Sequence, residues 1–235
     1  MRTAGRVVAG FFRLIEKEVK PGVTTKRLDE IAEEFIRSQG ALPAFKGYYG
    51  YPATICASVN EEVVHGIPGA RVLQEGDIVG VDVGAKFKGY FADAARTWAV
   101  GRIDKEDQRH IDVTRNALKE GIAKAVAGNR LSDISWAVQR FSEKNGFSVV
   151  REYVGHGIGK NLHEEPQVPN FGLPGRGPEL LEGVALAIEP MLNRGGHEVK
   201  LLGDGWTVVT KDGKRSCHFE QTIFVGKKAA EVVTE

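Results

Sequence analysis

The sequence predicts an α+β domain built from two similar halves, and a repeated carboxylate is the first observation that indicates this. A Glu-Gly pair leads into an apolar run that carries one acid six residues after the glycine. This pattern occurs at Glu75-Gly76 with Asp82, and again at Glu182-Gly183 with Glu189. An ionised carboxylate inside a buried strand needs a partner or a metal ion. We therefore expect the function to lie where the two acids meet.

A second observation is that the segments before these strands also repeat. Gly22 to Gly40 and Gly128 to Gly146 have the same length and share apolar residues at helical spacing. The run around His65 is echoed by the run around His156, and Asp93 is echoed more loosely by Glu220. A period this long with two copies is not typical of a solenoid. It favours one domain, residues 1–235, whose halves of about 1–101 and 102–235 are related by a pseudo-two-fold axis.

Composition is the third observation, and it indicates an ordinary globular protein. Hydrophobic residues make up 42% and charged residues 27% of the 235 residues, and the net charge is +1. This balance gives no sign of a general affinity for nucleic acid or membranes. Charged residues interrupt the first 20 positions, so we expect neither a secretion signal nor a membrane span there. Two cysteines do not make a disulfide framework, which favours a reducing, cytoplasmic setting.

The first half should begin with two helices. Residues 4–19 place apolar side chains on one stripe, which predicts a helix that ends before Pro21-Gly22. Thr24 or Thr25 is a typical cap for a second helix that runs to about Ser38. After them we expect a loop at 41–53, a strand at 54–59, and a hairpin of strands 77–83 and 87–100 that turns near residues 86–89.

The second half should repeat this order after Gly101. Apolar spacing predicts a long helix over 105–127 and another over 132–144. Four prolines between 161 and 182 are typical of a loop. Strands are expected at 147–154, 184–188, 199–202, 206–210 and 217–225.

Four acidic residues and one histidine form the group of candidate catalytic or metal-binding residues. Asp82 and Asp93 lie on the two strands of the predicted hairpin, where antiparallel pairing could place them side by side. Glu189 and Glu220 take the corresponding places in the second half, and His156 lies between two glycines. Each acid alone could be a turn or surface group, so the prediction rests on the joint pattern.

Such a group of acids suits a pair of metal ions. Four carboxylates without cations would repel one another and stay partly protonated. Two divalent ions would balance their charge, and oxygen ligands with one nitrogen suit Mn, Fe, Co or Zn. Two ions about 3.5–4 Å apart can polarise a carbonyl group, which is hydrolytic chemistry.

Specific motifs over nearly the whole chain resemble those of the methionine aminopeptidases, in particular the bacterial type I form. We expect no zinc-binding N-terminal extension, and the spacing between His163 and Glu189 leaves no room for the helical insertion of type II enzymes. The motifs are Asn60-Glu61-Glu62-Val63-Val64-His65-Gly66-Ile67-Pro68, Gly155-His156-Gly157-Ile158-Gly159, His163-Glu164-Glu165-Pro166, Ala187-Ile188-Glu189-Pro190-Met191 and Asp204-Gly205-Trp206-Thr207-Val208.

The resemblance implies a fold and a metal site. The fold is the pita-bread fold of the creatinases and aminopeptidases, a curved antiparallel sheet covered by helices. One metal ion would be held by Asp82, Asp93 and Glu220. The second would be held by His156 and Glu189 together with Asp93 and Glu220, which bridge the two ions.

The resemblance also implies an activity, which is the removal of N-terminal methionine from nascent proteins and peptides with a small second residue. A bridging hydroxide would attack the scissile carbonyl. Glu189 would shuttle the proton, His163 would contact the carbonyl oxygen, and His65 would position the substrate backbone. The alternative is a purely structural role for the two histidines, as hydrogen-bonding groups within loops.

The methionine side chain needs a narrow apolar pocket with a polarisable lining. Tyr48, Tyr51, Cys56 and Trp206 match the pocket positions of the family. Leu162 departs from it, because the family usually has an aromatic residue directly before the histidine. We therefore expect a looser pocket wall and an altered tolerance of the second substrate residue.

Two other functions stay open at this point. One is a proline-directed enzyme of the same fold, such as aminopeptidase P or prolidase. The other is a binding module that lost its catalysis and holds proteins or nucleic acid, although all five ligand types are intact. The resemblance favours a monomer that acts on peptides or nascent chains, with docking at the ribosome compatible with that substrate. No membrane partner and no direct nucleic-acid function are expected.

Overall fold

Four α-helices cover the sheets in the computed structural model, which describes residues 1–235. Two of them match the expected bounds closely, while the first ends before residue 19 and the third before residue 127. The apolar pattern extends past the ends of these two helices because Val19 and Ala125, which follow them in the chain, are also buried. The helices are α1 (Arg2–Ile15), α2 (Thr25–Ser38), α3 (Lys105–Ile122) and α4 (Leu131–Lys144).

The strands are joined by antiparallel ladders throughout, which confirms the α+β class. A 3₁₀ turn, Tyr48–Gly50, lies between the first two strands. In chain order the strands are β1 (Leu42–Pro43), β2 (Ile55–Val59), β3 (Glu62–Val64), β4 (Ile78–Phe87), β5 (Tyr90–Ala99), β6 (Ser148–Val149), β7 (Gly155–Gly157), β8 (Glu164–Val168), β9 (Ala185–Ile188), β10 (Met191–Asn193), β11 (Val199–Leu201), β12 (Val208–Thr210), β13 (Ser216–His218), β14 (Gln221–Phe224) and β15 (Glu231–Val232).

Several short strands differ from the sequence expectation. The segments 41–53 and 161–182, expected as loops, contain β1 and β8, while the strand expected at 147–154 is reduced to β6. The strand expected at 217–225 is divided into β13 and β14. Elements of two to five residues span too few side chains to show a period, so the sequence carries little signal for them.

The hairpin β4–β5 shows why the acids face a cavity. Its turn residues Lys88 and Gly89 have positive φ angles of 47° and 86°, as a two-residue hairpin loop requires. Successive side chains of a strand point to opposite faces. Val79, Val81 and Val83 therefore pack into the core beneath α1 and α2, which leaves Asp82 on the other face.

The antiparallel pair β9–β14, whose strands are separated in the chain by β10 to β13, repeats this arrangement. Leu186, Ile188 and Ile223 pack into a core that includes residues of α3 and α4. The pairing of β9 with β14 ends at Ile188 and Gln221. Glu189 and Glu220 lie directly beyond it, and they are flanked by β10 and β13, which pair in another sheet. This break brings both glutamates to one point of the sheet.

The two strand pairs meet along β5, which runs beside β13 and β14. Ala95 and Glu220 exchange two main-chain hydrogen bonds of 2.9 and 3.4 Å. On one side, the Thr97 hydroxyl accepts from the amide of His218 and donates to its carbonyl. On the other side, the Thr222 hydroxyl makes the same two bonds with Asp93. We call this line of contacts the seam, and its two threonines are related by a pseudo-two-fold axis.

The strand pairing shows which residues of the two halves correspond, and this correspondence differs from the one that the sequence repeats predicted. Asp82 pairs with Ala95 in β4–β5, and the register of β9–β14 brings Glu189 opposite Glu220, so Glu220 corresponds to Ala95. The predicted echo of Asp93 by Glu220 is therefore displaced by two residues, because across the seam Asp93 corresponds to His218.

The histidine echo also differs from the ladders. Ser58 of β2 pairs with Gly80, and His156 of β7 pairs with Ala187, two residues before each repeated acid. His156 thus corresponds to Ser58 rather than to His65. The division of the chain into halves at about residue 101 stays a prediction, which the matching ladders support.

Candidate metal centre and substrate cavity

One cavity of about 320 Å³ contains every side chain that the sequence singled out. Its volume lies at the lower end of the range of small-ligand sites, about 300–1,000 Å³. The predicted site residues that line it are Tyr48, Tyr51, Cys56, His65, Asp82, Asp93, His156, His163, Glu189, Trp206 and Glu220. The polar members gather at the seam, and the aromatic members form the remaining wall.

The four acids come from different strands. Asp82 lies in β4 and Asp93 in β5, but the ladder pairs Asp93 with Gly84, so the two aspartates are diagonal neighbours rather than direct partners. Glu189 directly follows β9, and Glu220 lies between β13 and β14. Asp93, His156 and Glu220 offer ligand atoms that all lie within 4.8 Å of one another.

Burial in this cluster opposes ionisation of the acids. It is the main cause that raises the pKa of Asp82, Glu189 and Glu220 above their ordinary values, and the neighbouring carboxylates raise them further. Burial also raises the pKa of Asp93 to about 6, although the hydrogen bond from Thr222 opposes the shift. The site is thus costly to keep ionised without added positive charge.

His156 is held in the tautomer that a metal ligand needs. Its Nδ1–H donates to the carbonyl of Gly157 at 2.9 Å, which leaves the lone pair on Nε2. That nitrogen lies 3.5 Å from Asp93 Oδ2 and 3.7 Å from Glu189 Oε1. Burial lowers the pKa of His156, which favours the neutral ring.

Three observations indicate that these residues fit a divalent metal ion. Asp82 Oδ1 is buried without a hydrogen-bond partner, an arrangement that costs free energy unless a cation compensates it. Four acids converge on one point with raised pKa values. The donor set of carboxylate oxygens and one imidazole nitrogen suits Mn, Fe, Co or Zn.

His163 and His65 lie on either side of this cluster. His163 Nδ1 lies 2.9 Å from the Tyr48 hydroxyl, and its ring contacts that of His156 with centroids 4.2 Å apart. His65 has a φ of 60°, which is uncommon for a residue other than glycine. Burial lowers the pKa of both His65 and His163 to about 4, so both rings are neutral near pH 7.

The apolar wall consists of aromatic rings and one thiol. The Tyr51 hydroxyl lies 3.0 Å from the Ile55 carbonyl oxygen and 3.1 Å from that of Gly66, which share its single proton, and its ring lies edge-on to Trp206 with centroids 5.0 Å apart. Cys56 is buried among these residues, and burial raises the pKa of its thiol. Leu162, which departs from the usual aromatic residue of the family, is buried and lines the cavity.

Sequence reasoning missed several residues of the cavity, above all His218. Its Nε2 is buried without a hydrogen bond and lies 3.7 Å from Glu189 Oε2. Burial lowers its pKa to about 3. The signal was present, because His218 lies two residues before Glu220 and strand alternation places both on one face. Phe45 and Tyr153 also line the cavity, and neither carried a sequence pattern of its own.

Comparison with known proteins assigns the class. The profile of metallopeptidase family M24 matches residues 1–227, and the chain belongs to this family. Within it, the chain is similar over its whole length to methionine aminopeptidases. Methionine aminopeptidase 1 of Bacillus subtilis is 53% identical over 234 residues, which cover 100% of this chain and 94% of that protein.

Solved structures agree with this assignment. The crystal structure of methionine aminopeptidase from Thermotoga maritima matches with a TM-score of 0.99 at 46% identity, covering 100% of this chain and 95% of that one. The Xaa-Pro dipeptidase from Bacillus anthracis matches with a TM-score of 0.78 at 24% identity and 59% coverage of its chain, which shows the shared fold alone. The expected pita-bread fold is confirmed. None of the four helices combines the length and the apolar character that a membrane-spanning helix needs.

Proposed function

We propose that this protein is a metal-dependent aminopeptidase that removes N-terminal methionine from nascent proteins and peptides, preferring a small second residue. The observation that carries the proposal is the single cavity that joins four convergent acids and His156 to an aromatic, sulfur-containing wall. Such a cavity provides for hydrolytic chemistry at one end and for a thioether side chain at the other. The whole-length similarity to methionine aminopeptidases supports the same substrate.

The residues that would hold two divalent ions come from the pairs β4–β5 and β9–β14 and from β7. Asp82, Asp93 and Glu220 would hold one ion, and Asp93, His156, Glu189 and Glu220 the other, with Co, Mn, Fe or Zn as the candidates. When bound, these ions would lower the pKa of a water molecule and polarise the scissile carbonyl. The acids balance that charge, and the Nδ1–H bond of His156 keeps its Nε2 available.

The side chains around the ions divide the remaining work. Glu189 is proposed to take the proton from the attacking water and to deliver it to the leaving amine, since its carboxylate faces the cavity. Its main chain is held in place by Asn170, whose side-chain amide donates to the Glu189 carbonyl at 3.0 Å. A fixed carboxylate can move a proton between two substrate positions without rearranging the strand.

His163 and His65 would orient the substrate. If the Tyr48 hydroxyl donates to His163 Nδ1, the proton of the neutral ring lies on Nε2, where it can donate to the carbonyl oxygen. The resulting bond strengthens as negative charge develops on that oxygen. His65 is proposed to contact the substrate backbone from the side of Tyr153 and Trp206, against which its ring packs.

The proposal is tested by release of methionine from Met-Ala-Ser after chelation and again after addition of Mn²⁺, Co²⁺, Fe²⁺ or Zn²⁺. We expect release only with metal and little cleavage of an Xaa-Pro peptide. Asp82→Asn keeps the shape of the side chain but removes one charge, and should lower both metal content and rate. Metal-independent release, or none under any condition, would contradict the proposal.

The same peptides distinguish the alternatives. A proline-directed enzyme would cleave Ala-Pro-Ser in preference to Met-Ala-Ser, and a silent binding module would cleave neither. The likeness to the Xaa-Pro dipeptidase supports only the fold, because identity is 24%.

The setting of the reaction belongs to the same proposal. We place the enzyme in the cytoplasm as a monomer that meets nascent chains at the ribosome, because the proposed substrate is a freshly made N-terminus. Gel filtration coupled to light scattering tests the monomer, and co-sedimentation with ribosomes that carry nascent chains tests the docking. Fractionation of cells tests the compartment.

A further inference from the structure

His65 lies at the cavity in a backbone conformation that its neighbours must enforce. Its φ of 60° lies in the left-handed region, and a residue with a side chain keeps such a conformation only where surrounding contacts hold it. The strand before it, β3, ends at Val64, which pairs with Val208 of β12. This pairing fixes the chain up to His65, so the contacts just beyond it decide where the imidazole lies.

Gly66 makes those contacts, and its carbonyl and its amide have separate partners. The carbonyl accepts from the amide of Ala57 at 2.8 Å, and the Tyr51 hydroxyl lies 3.1 Å from it. The amide donates to Ser58 Oγ at 3.2 Å and to no other acceptor. This amide belongs to the peptide unit that joins His65 to Gly66, and ψ of His65 sets the orientation of that unit. The Ser58 hydroxyl therefore fixes an angle that the carbonyl contacts leave free.

Gly66 lies close against strand β2, which carries Ser58. A Cβ atom on Gly66 would come within 2.5 Å of the Ala57 carbonyl oxygen and 3.0 Å of Glu62 Oε2. The φ of Gly66 is not in the left-handed region, so glycine is needed there for space. This close approach brings the amide within reach of a side chain as short as serine.

Ser58 has the position in the first half that His156 has in the second, since each pairs with a residue two positions before a repeated acid. On β2, Ala57 and Val59 pack into the core, so strand alternation directs Ser58 to the opposite face. Ser58 is buried there and does not line the cavity. The second half thus has an imidazole at this position, and the first half has a hydroxyl that binds the segment of His65.

We infer that Ser58 is a positioning residue for the reaction, and that its hydroxyl holds the imidazole of His65 at the cavity through the Gly66 amide. The inference rests on the proposed function, in which His65 contacts the substrate backbone. Ser58 itself does not reach the cavity, so it acts only through His65. Loss of the hydroxyl leaves the buried Gly66 amide unpaired and releases the ring from its place against Tyr153 and Trp206.

A double-mutant cycle tests whether Ser58 acts through His65. The assay measures kcat/KM for Met-Ala-Ser with Mn²⁺ in wild type, Ser58→Ala, His65→Ala and the double variant. We expect Ser58→Ala to lower kcat/KM about 10-fold in wild type, because a displaced group no longer orients the substrate. The same change should cost less than about 2-fold when His65 is already absent. Ser58→Thr keeps the hydroxyl and should recover most of the activity, whereas equal losses in both backgrounds would overturn the inference.

Ser216→Ala is the matched control. Ser58 and Ser216 are both 5% exposed, and the Ser216 hydroxyl also makes one bond of 3.2 Å, which it donates to the carbonyl of Leu192. Ser216→Ala should lower the urea midpoint about as much as Ser58→Ala does, but leave kcat/KM unchanged. Equal falls of kcat/KM in the two variants would show a general effect of lost stability and would overturn the inference.

A measurement without turnover separates this inference from the proposed function. The ring Cε1–H resonance of His65, identified by its absence from His65→Ala, is recorded by NMR on chelator-treated protein. Neighbouring aromatic rings displace this resonance, so it should shift in Ser58→Ala and stay in place in Ser216→Ala. An unchanged resonance in Ser58→Ala would overturn the inference. Failure of metal-loaded wild type to release methionine would refute the proposed function alone.

Discussion

The two threonines of the seam provide a matched pair of perturbations. Thr222→Val and Thr97→Val each exchange a hydroxyl for a methyl group of nearly the same size at a buried site. Each removes one bond of 3.1 Å from a main-chain amide and one of 2.8 Å to a main-chain carbonyl. The amide and carbonyl belong to Asp93 in the first case and to His218 in the second.

The cost of the two changes should be similar. Leaving a buried donor or acceptor unpaired costs about 1–3 kcal/mol, and each variant leaves one of each. We therefore expect either variant to lose about 2–4 kcal/mol of unfolding free energy in the metal-free protein, some of it recovered by relaxation. Urea unfolding followed by circular dichroism measures this loss, with the wild type treated with the same chelator.

Metal affinity should separate the two variants. The Thr222 hydroxyl also lies 3.0 Å from Asp93 Oδ1, and Thr97 has no such contact with a proposed ligand. Removing a partner that orients a metal ligand typically weakens metal binding about 10–100-fold. Calorimetric titration with Mn²⁺ should show this weakening for Thr222→Val only. Equal metal affinity in both variants, or a loss of stability below about 0.5 kcal/mol in either, would refute this account of the seam.

Two further predictions concern the protonation and the histidines of the cavity. In the metal-free protein the pKa of Asp93 is raised from 3.8 to about 6, so the folded state binds more protons than the unfolded state between these values. Stability should therefore fall as pH rises through that window, and Asp93 alone should account for about 2 kcal/mol of the fall between pH 4.5 and 7.5. Urea midpoints at pH 4.5 and 7.5 measure the fall, saturating Mn²⁺ should abolish it, and a midpoint that rises with pH would contradict it. Tyr48→Phe removes the hydroxyl that lies 2.9 Å from His163 Nδ1 and should lower kcat for Met-Ala-Ser about 10-fold with little change in KM. A change confined to KM would show instead that Tyr48 serves only to bind substrate.

The sequence was most informative where residues repeat or alternate. The apolar face of β4 and the second Glu-Gly strand predicted where Asp82 and Glu189 lie, because strand period and burial are local properties. The helix caps were also readable, as Thr24 shows by accepting from the amide of Arg27. The roles of the gathered residues stay predictions, although all eleven of them line one cavity.

The sequence was less informative where register decides the contact. The echo of Asp93 by Glu220 ignored the ladders, which only pairing between distant strands can set. Phe45 could not be recognised because its position depends on Gly84, 39 residues further along the chain. His218 was overlooked for a different reason, since it belongs to none of the sequence motifs although it lies two residues before Glu220 in the expected strand 217–225.

The seam has a consequence for the point during synthesis at which the proposed metal site is complete. Asp82 and Asp93 precede His156, Glu189 and Glu220 in the chain, and Thr222 completes the contact with Asp93. A partly synthesised chain that ends before β13 lacks Glu220 and Thr222, so it lacks one proposed ligand and the contact that holds Asp93. Synthesis past residue 222 supplies Glu220 and Thr222 together, which completes the proposed ligand set and the seam contact with Asp93. An enzyme proposed to act on unfinished proteins would thus be silent while it is itself unfinished.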